Sequence, residues 1–374
     1  MLLVLAGLAY RGFYDLLRGP RHTEAVRGAL QDGLRTLAPV KGDWRLVWGP
    51  ATSRTPPDAF DSAAMYVVRH RQKPARYVVA IRGTNPIAAT DWLFGDFQVA
   101  TTVPWPHAPA ADGAAVSAST ALGLRRLQAL RSPRVSYDPA VSAPIDRSPI
   151  SREALERHQA GIAAAWSRLA AAPSGWREEH PVDPPPRLPA PGPADAALDL
   201  VGFLDEEARA LAGPLDVTVT GHSKGGALAA TVALWLAEEW AGRHRARIAC
   251  HAFAAPTPGN AAFAERIDRV LGDAHHHLRN RHDVVTLAWQ ADELARIPDL
   301  YAPRRTVLAP LIPLIASRVA GLHYRHARAG MTTFAGTLDP ARPFVAEFIH
   351  QHLDAYLAEL GLLGEDLNAR TLFF

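Results

Sequence analysis

The run Gly221-His222-Ser223-Lys224-Gly225-Gly226 places glycines two residues before and two after a serine. It lies behind the β-rich Val217-Thr218-Val219-Thr220 and ahead of the apolar stretch Ala227–Ala241. A serine hydroxyl is a poor nucleophile until it is held clear of its surroundings and a base reaches it. A sharp strand-to-helix turn does this but crowds the backbone, and the glycines remove the Cβ atoms that would clash. The helix behind the serine aims free N–H groups and a partial positive charge at a developing oxyanion. This pattern points to acyl transfer with Ser223 as nucleophile. The N–H of Lys224 can serve the oxyanion whatever its side chain is. That side chain is not read as the base, since neighbours on a turn point apart and a solvated lysine is protonated at pH 7.

Where such an elbow carries the serine, an acid and then a histidine follow it in chain order. Asp283 stands sixty residues on, at the end of a short strand. Its nearest competitor, Asp273 in Gly272-Asp273-Ala274, reads as a plain turn. Four histidines follow Asp283: His323, His326, His350 and His352. On a continued helix His350 shares the apolar face of Ile349, Leu353 and Leu360, as a packed core histidine would. The cluster Leu322-His323-Tyr324-Arg325-His326 reads as structural or surface. A second oxyanion donor is expected from the loop after an earlier strand. Gly83-Thr84 ends one, so the Thr84 N–H, with its hydroxyl, is the candidate. His275-His276-His277 reads as a strand, whose neighbours point to opposite faces, and no accompanying ligand pattern suggests a metal. No cofactor motif is present.

The elements that must position these groups alternate. Met65–Arg69 and Tyr77–Ile81 are β-rich, and Ala196–Leu211 is amphipathic, with Leu200, Val201, Leu204, Ala208 and Leu211 on one side. Leu215–Thr220 reads as a strand and Ala227–Ala241 as a buried helix. Arg247–Ala254 (strand), Asn260–Leu271 (helix) and His275–Leu278 (strand) follow. This order implies an α/β fold, a mostly parallel central sheet covered by helices on both faces. The stretch Arg131–Pro193 holds 12 of the 31 prolines, including Pro184-Pro185-Pro186, which suits loops and extended connections. One helix is expected inside it, from Ser151 to about Ala171. We read residues 1–374 as a single domain and 131–195 as an insertion or cap within it.

Composition narrows the partners. The chain is 48% apolar and 21% charged, with a net charge of +3, which excludes a disordered chain and a strong polyanion-binding field. Lys41, Lys73 and Lys224 are the only lysines among 40 basic residues. The basic residues are scattered, with no stripe interleaved with aromatics, so no nucleic-acid partner is expected. A single cysteine, Cys250, leaves no internal disulfide. Met1–Ala9 is apolar but has no positive n-region and meets Arg11 early, so a short core helix is expected rather than a signal peptide. The next apolar run, Val307–Ala316, is interrupted by Pro310 and Pro313 and is too short to span a bilayer. The expectation is a soluble protein, cytoplasmic or secreted by a non-classical route, with transient contact to a lipid interface.

Four segments in register resemble the class 3 (fungal-type) lipases. Val219-Thr220-Gly221-His222-Ser223-Lys224-Gly225-Gly226-Ala227-Leu228-Ala229 is similar to that family's elbow, with Lys224 in place of a usual leucine. Val78-Val79-Ala80-Ile81-Arg82-Gly83-Thr84 with Asp91-Trp92, Phe253-Ala254-Ala255-Pro256-Thr257-Pro258-Gly259-Asn260, and Asn280-Arg281-His282-Asp283-Val284-Val285 resemble three more of its segments. Leu5–Gly12 is similar to its opening helix. The resemblance implies the α/β-hydrolase fold and cleavage of a lipid or other carboxylic ester. It also implies Asp283 as the acid and Thr84 as the first oxyanion residue. The family ends with a histidine ahead of a helix and a tyrosine. This favours His352, four residues before Tyr356, over His350, which stays as the alternative base. Val307–Ile315 and the proline-rich segment are assigned, on composition, to a lid or acyl site. Phospholipase A1 or general esterase activity, and a non-catalytic binding module on the same fold, are the competing functions.

Overall fold

A computed structural model of the chain describes residues 1–11, 20–54, 61–84, 99–135, 197–211, 213–304, 306 and 308–373. The helix expected at Ser151–Ala171, most of the 131–195 insertion, and Asp91-Trp92 lie outside the described residues.

Seven strands form the central sheet: β1 (Trp44–Arg54), β2 (Asp61–His70), β3 (Arg76–Ile81), β6 (Asp216–His222), β7 (Arg247–Phe253), β8 (His275–Asn280) and β9 (Met331–Phe334), neighbours in that order. The short β4 (Thr102–Pro104) and β5 (Ala115–Ser117) pair separately. β1, β2 and β3 are antiparallel, and every pairing from β3 to β9 is parallel. The mostly parallel sheet expected from the alternation is therefore present. β1 and β9 were not anticipated; β1 extends the sheet through an antiparallel meander, and β9 is a four-residue edge strand.

Alternate residues of the strands feed two cores. Val79, Ile81, Val217, Val219 and Ala252 face one cluster, which packs helices Ala118–Ala129, Leu200–Ala210, Lys224–Leu236 and Ala261–Val270. Val78, Ala80 and Phe253 face the other, which contains the N-terminal helix Leu2–Leu8 and the C-terminal helix Ala369–Phe373. With both faces covered, β3 is buried over nearly its whole length, as parallel strands require. The N-terminal segment is a core helix: Leu3 to Leu8 are all buried.

Helix starts are fixed by side-chain caps. Asp199 accepts from Gly202 N–H (2.8 Å), which starts the expected Ala196–Leu211 helix at Leu200. Asn260 likewise accepts from Phe263 N–H (2.9 Å). The apolar face expected for Ala196–Leu211 packs on the first core, with Leu200 and Leu204 buried and Val201, Ala208 and Leu211 half-buried against it; Phe203 and Glu207 are buried as well. The burial of Glu207 is electrostatic in origin. Glu207 accepts hydrogen bonds from Arg69 (3.1 Å), Arg134 (2.5 Å) and the Tyr77 hydroxyl, partners that sequence periodicity does not reveal.

A third apolar cluster, of Val284, Leu287, Leu294, Ile297, Tyr301, Leu308, Ile312 and Val319, lies against Phe344 and Phe348. Its helix Ile312–Val319 carries Pro313 in the first turn, where a missing N–H costs nothing. Leu314 on this helix is 49% exposed. Among the described residues no helix is long and apolar enough to cross a membrane.

Candidate active site

β6 ends at His222, and the helix Lys224–Leu236 begins one residue after Ser223. Ser223 has φ 61° and ψ −134°, a backbone region that costs a non-glycine residue energy and persists only when its surroundings enforce it. The glycines explain how. A Cβ on Gly221 would lie 2.0 Å from the Gly225 carbonyl oxygen, and one on Gly225 would lie 2.5 Å from the Ile81 carbonyl oxygen. The turn is pinned by Ser223 N–H donating to Phe253 O (2.9 Å) and Gly226 N–H donating to Ser223 O (2.8 Å). Ser223 and Lys224 are half-buried.

The end of β3 runs alongside. A Cβ on Gly83 would meet the Ser223 Cβ at 3.2 Å and the His222 carbonyl oxygen at 2.6 Å. The chain at Gly83-Thr84 thus passes against the elbow, with Thr84 half-buried.

β8 delivers the acid. Asp283 follows it after three residues and is 0% exposed. Its Oδ1 accepts from Val285 N–H (2.9 Å), and its Oδ2 accepts from His352 Nδ1 (2.8 Å) and from the Tyr356 hydroxyl (3.0 Å). A carboxylate only accepts, so the His352 Nδ1 carries the proton and a neutral ring keeps Nε2 as a proton acceptor. The Thr286 hydroxyl bonds the carbonyls of Asn280 (3.0 Å) and Asp283 (2.9 Å), bracing the loop. Asp273 sits apart from this constellation, in a short 3-10 turn at Gly272–Ala274.

His352 lies in a five-residue wide turn, His350–Asp354, between helices Phe344–Ile349 and Ala355–Glu359. The face expected for His350 is wrong for this reason. The wide turn breaks the 3.6-residue period, leaving His350 half-buried with Nδ1 3.9 Å from Asp354, while His352 turns inward to Asp283. Leu360, expected on the apolar face, is 42% exposed.

Two further side chains brace the histidine. Phe348 stacks on one side of its ring (centroids 5.7 Å, 21°), and the His222 ring lies 4.6 Å away. Asn280, buried, donates to both Gln351 O (2.9 Å) and Gln351 Oε1 (2.8 Å), which ties β8 to the wide turn. Asn280 is visible in the sequence as part of a motif. His222 and Gln351 were not singled out, and the one signal for His222 was its place inside the elbow.

The other histidines considered as bases or as a metal site are placed differently. His326 is buried and bonds Thr286 O (2.9 Å), and His323 is exposed. Along β8, His275 and His277 are buried and His276 is exposed. Among the described residues no three or more His, Cys, Asp or Glu side chains gather to hold a metal.

Residues 204–292, a span that includes the elbow and Asp283, match the family described as lipase (class 3). The M37 lipase structure is similar over 100% of this chain and 96% of its own, with 27% identity and a TM-score of 0.74. A lipase from Rhizopus microsporus var. chinensis is 15% identical, over 78% of this chain and 69% of its own, with a TM-score of 0.39. No curated protein matches the chain. The family match and the M37 structure bear out the resemblance to class 3 lipases and the α/β-hydrolase fold.

Proposed function

We propose that this chain, similar in sequence to the class 3 lipases and folded like M37 lipase, hydrolyses carboxylic esters, with triacylglycerols as the substrate class. Ser223 attacks the ester carbonyl. His352 Nε2 takes the hydroxyl proton, and Asp283 holds the ring through Nδ1 and stabilises the imidazolium. The N–H groups of Thr84 and Lys224 donate to the tetrahedral oxyanion. His352 then gives its proton to the departing alkoxide, and water, activated by the same imidazole, cleaves the acyl-enzyme.

The observation that carries this reading is the His352–Asp283 hydrogen bond, with the His352 ring 4.6 Å from that of His222, the residue before a serine whose backbone is held at φ 61°. The apolar cluster next to Phe348 supplies a surface for acyl chains, and the exposed Leu314 a point of contact with a lipid interface. In this reading 1–374 is one hydrolase domain and 131–195 an insertion in it.

The test is hydrolysis of emulsified triacylglycerol by the purified chain and by Ser223→Ala. Fatty-acid release that rises when substrate passes from monomer to emulsion, and that vanishes in the variant, is expected. Turnover confined to short soluble esters would make the protein a general esterase. No turnover of any ester by folded protein would favour a binding module.

A further inference from the structure

The residue before the proposed nucleophile is a histidine that the mechanism above does not use. His222 is 1% exposed, at the end of β6. Its Nε2 lies 2.8 Å from the backbone carbonyl oxygen of His352, 130 residues away. A carbonyl oxygen only accepts, so Nε2 carries the proton and Nδ1 is left as an acceptor. Nδ1 faces the Tyr10 hydroxyl at 3.4 Å, and the same hydroxyl donates to the His222 carbonyl oxygen (3.1 Å). Aromatic rings enclose the imidazole: Phe373 at 4.7 Å, Tyr356 at 6.1 Å and Tyr10 at 6.1 Å between centroids.

We propose that His222 is a positioning residue for hydrolysis, donating Nε2–H to the His352 carbonyl so that the base is held in register with the serine that follows His222 in the chain. The inference rests on the hydrolase reading above. Three features require such a brace. His352 sits in a wide turn, whose backbone is less regular than that of an α-helix. Its Nδ1 is anchored to Asp283, which leaves rotation and translation of the turn as the ways Nε2 can drift. The elbow is rigid, because its glycines contact backbone on several sides. A donor on the elbow that grips the carbonyl of the base therefore transfers the elbow's rigidity to the turn. Asn280 on β8 grips the same turn through Gln351.

The charge state fits this role. Burial first, and then the facing His352, hold the imidazole well below the ordinary histidine range, while the bond to the His352 carbonyl opposes that shift. A neutral His222 places no positive charge beside the imidazolium that forms on His352 during acyl transfer. A lysine or arginine donor in the same place would oppose that step.

The test compares His222→Phe, which keeps the ring packing and loses the donor, with His222→Gln, whose amide nitrogen falls near the lost Nε2. Active sites are counted with a fluorophosphonate, and kcat is expressed per titrated serine. His222→Phe is expected to lose about 10- to 100-fold in kcat with little change in KM, the scale of a base displaced by about 1 Å. His222→Gln is expected to recover most of it. The downfield proton of the His352–Asp283 bond should shift or broaden in the Phe variant alone. If His222→Phe does not fold, His222→Met, unable to donate through N–H, makes the same comparison with Gln. Wild-type kcat per titrated site in His222→Phe, or an equal loss in His222→Gln, would overturn the positioning role while leaving the hydrolase reading intact. A wild type with no titratable serine would overturn both.

Discussion

The imidazole of His352 meets the carboxylate of Asp283 at 2.8 Å, across 69 residues of chain, and the hydroxyl of Tyr356 reaches the same oxygen at 3.0 Å. Asp283 Oδ2 therefore serves two partners on consecutive turns of one helical segment. The tyrosine in turn accepts from Asn280 N–H (2.9 Å). Acid, histidine and tyrosine form one buried network.

The two histidines of the wide turn separate cleanly. His352→Ala is expected to lower kcat by about 10⁴- to 10⁶-fold, as loss of a triad base does. His350→Ala, whose ring is half-buried beside Asp354, should leave kcat near wild type. Steady-state kinetics on a soluble ester check both, and a dead His350→Ala beside an active His352→Ala would reverse the assignment.

Asp283→Asn replaces an acceptor with a group that can also donate, so His352 is held in the wrong tautomer. A loss of about 10⁴-fold in kcat is expected with the fold intact. Tyr356→Phe should cost far less in kcat but about 1–3 kcal/mol in stability, because Asn280 N–H is left buried without its acceptor. Urea unfolding and kcat measured on both variants test this division.

The elbow glycines are constrained by distance. Gly221→Ala drives a methyl to 2.0 Å from a backbone oxygen that cannot swing away, and at least about 3 kcal/mol of destabilisation is expected. Gly242→Ala is the control. Nothing lies within 4 Å of its Cβ and its φ is −62°, so stability should hold or rise by about 0.5–1 kcal/mol. Denaturant midpoints of the pair decide.

Buried His326 and half-buried His251 are held toward the neutral form. Burial, and secondarily Arg279, lower His326 to about 3, and burial with His276 lowers His251 to about 4. Unfolding returns them toward their ordinary value of 6.5, so below that pH the unfolded chain binds more protons. Stability is fully present above about pH 6.5 and falls as the pH drops toward the folded values, by up to about 1.4 kcal/mol per pH unit for each such group. His326→Gln, which can still donate to Thr286 O, should flatten the dependence of the urea midpoint between about pH 4 and 6 by one proton. An unchanged slope would show that His326 is not buried neutral.

Much of this architecture was legible in the sequence because it is local. The elbow announces itself by glycines that no other residue could replace, and the strands β3, β6 and β7 by the β-branched and apolar runs that buried parallel pairing favours. The choice between His350 and His352 was not legible from periodicity. A 3.6-residue period carried through Ile349–Leu360 assumes an unbroken helix, and the wide turn at His350–Asp354 is invisible to it. Glu207 was missed for a related reason. Its burial depends on Arg69, Tyr77 and Arg134, brought in from more than 70 residues away. His222 was not singled out, since its partner at His352 lies 130 residues on.

The most direct test of the central claim is to treat the folded protein with a fluorophosphonate and map the modified peptide by mass spectrometry. A single adduct on Ser223 is predicted, absent from Ser223→Ala and formed far more slowly in His352→Ala. An adduct on another residue, or none in protein shown to be folded, would contradict the account.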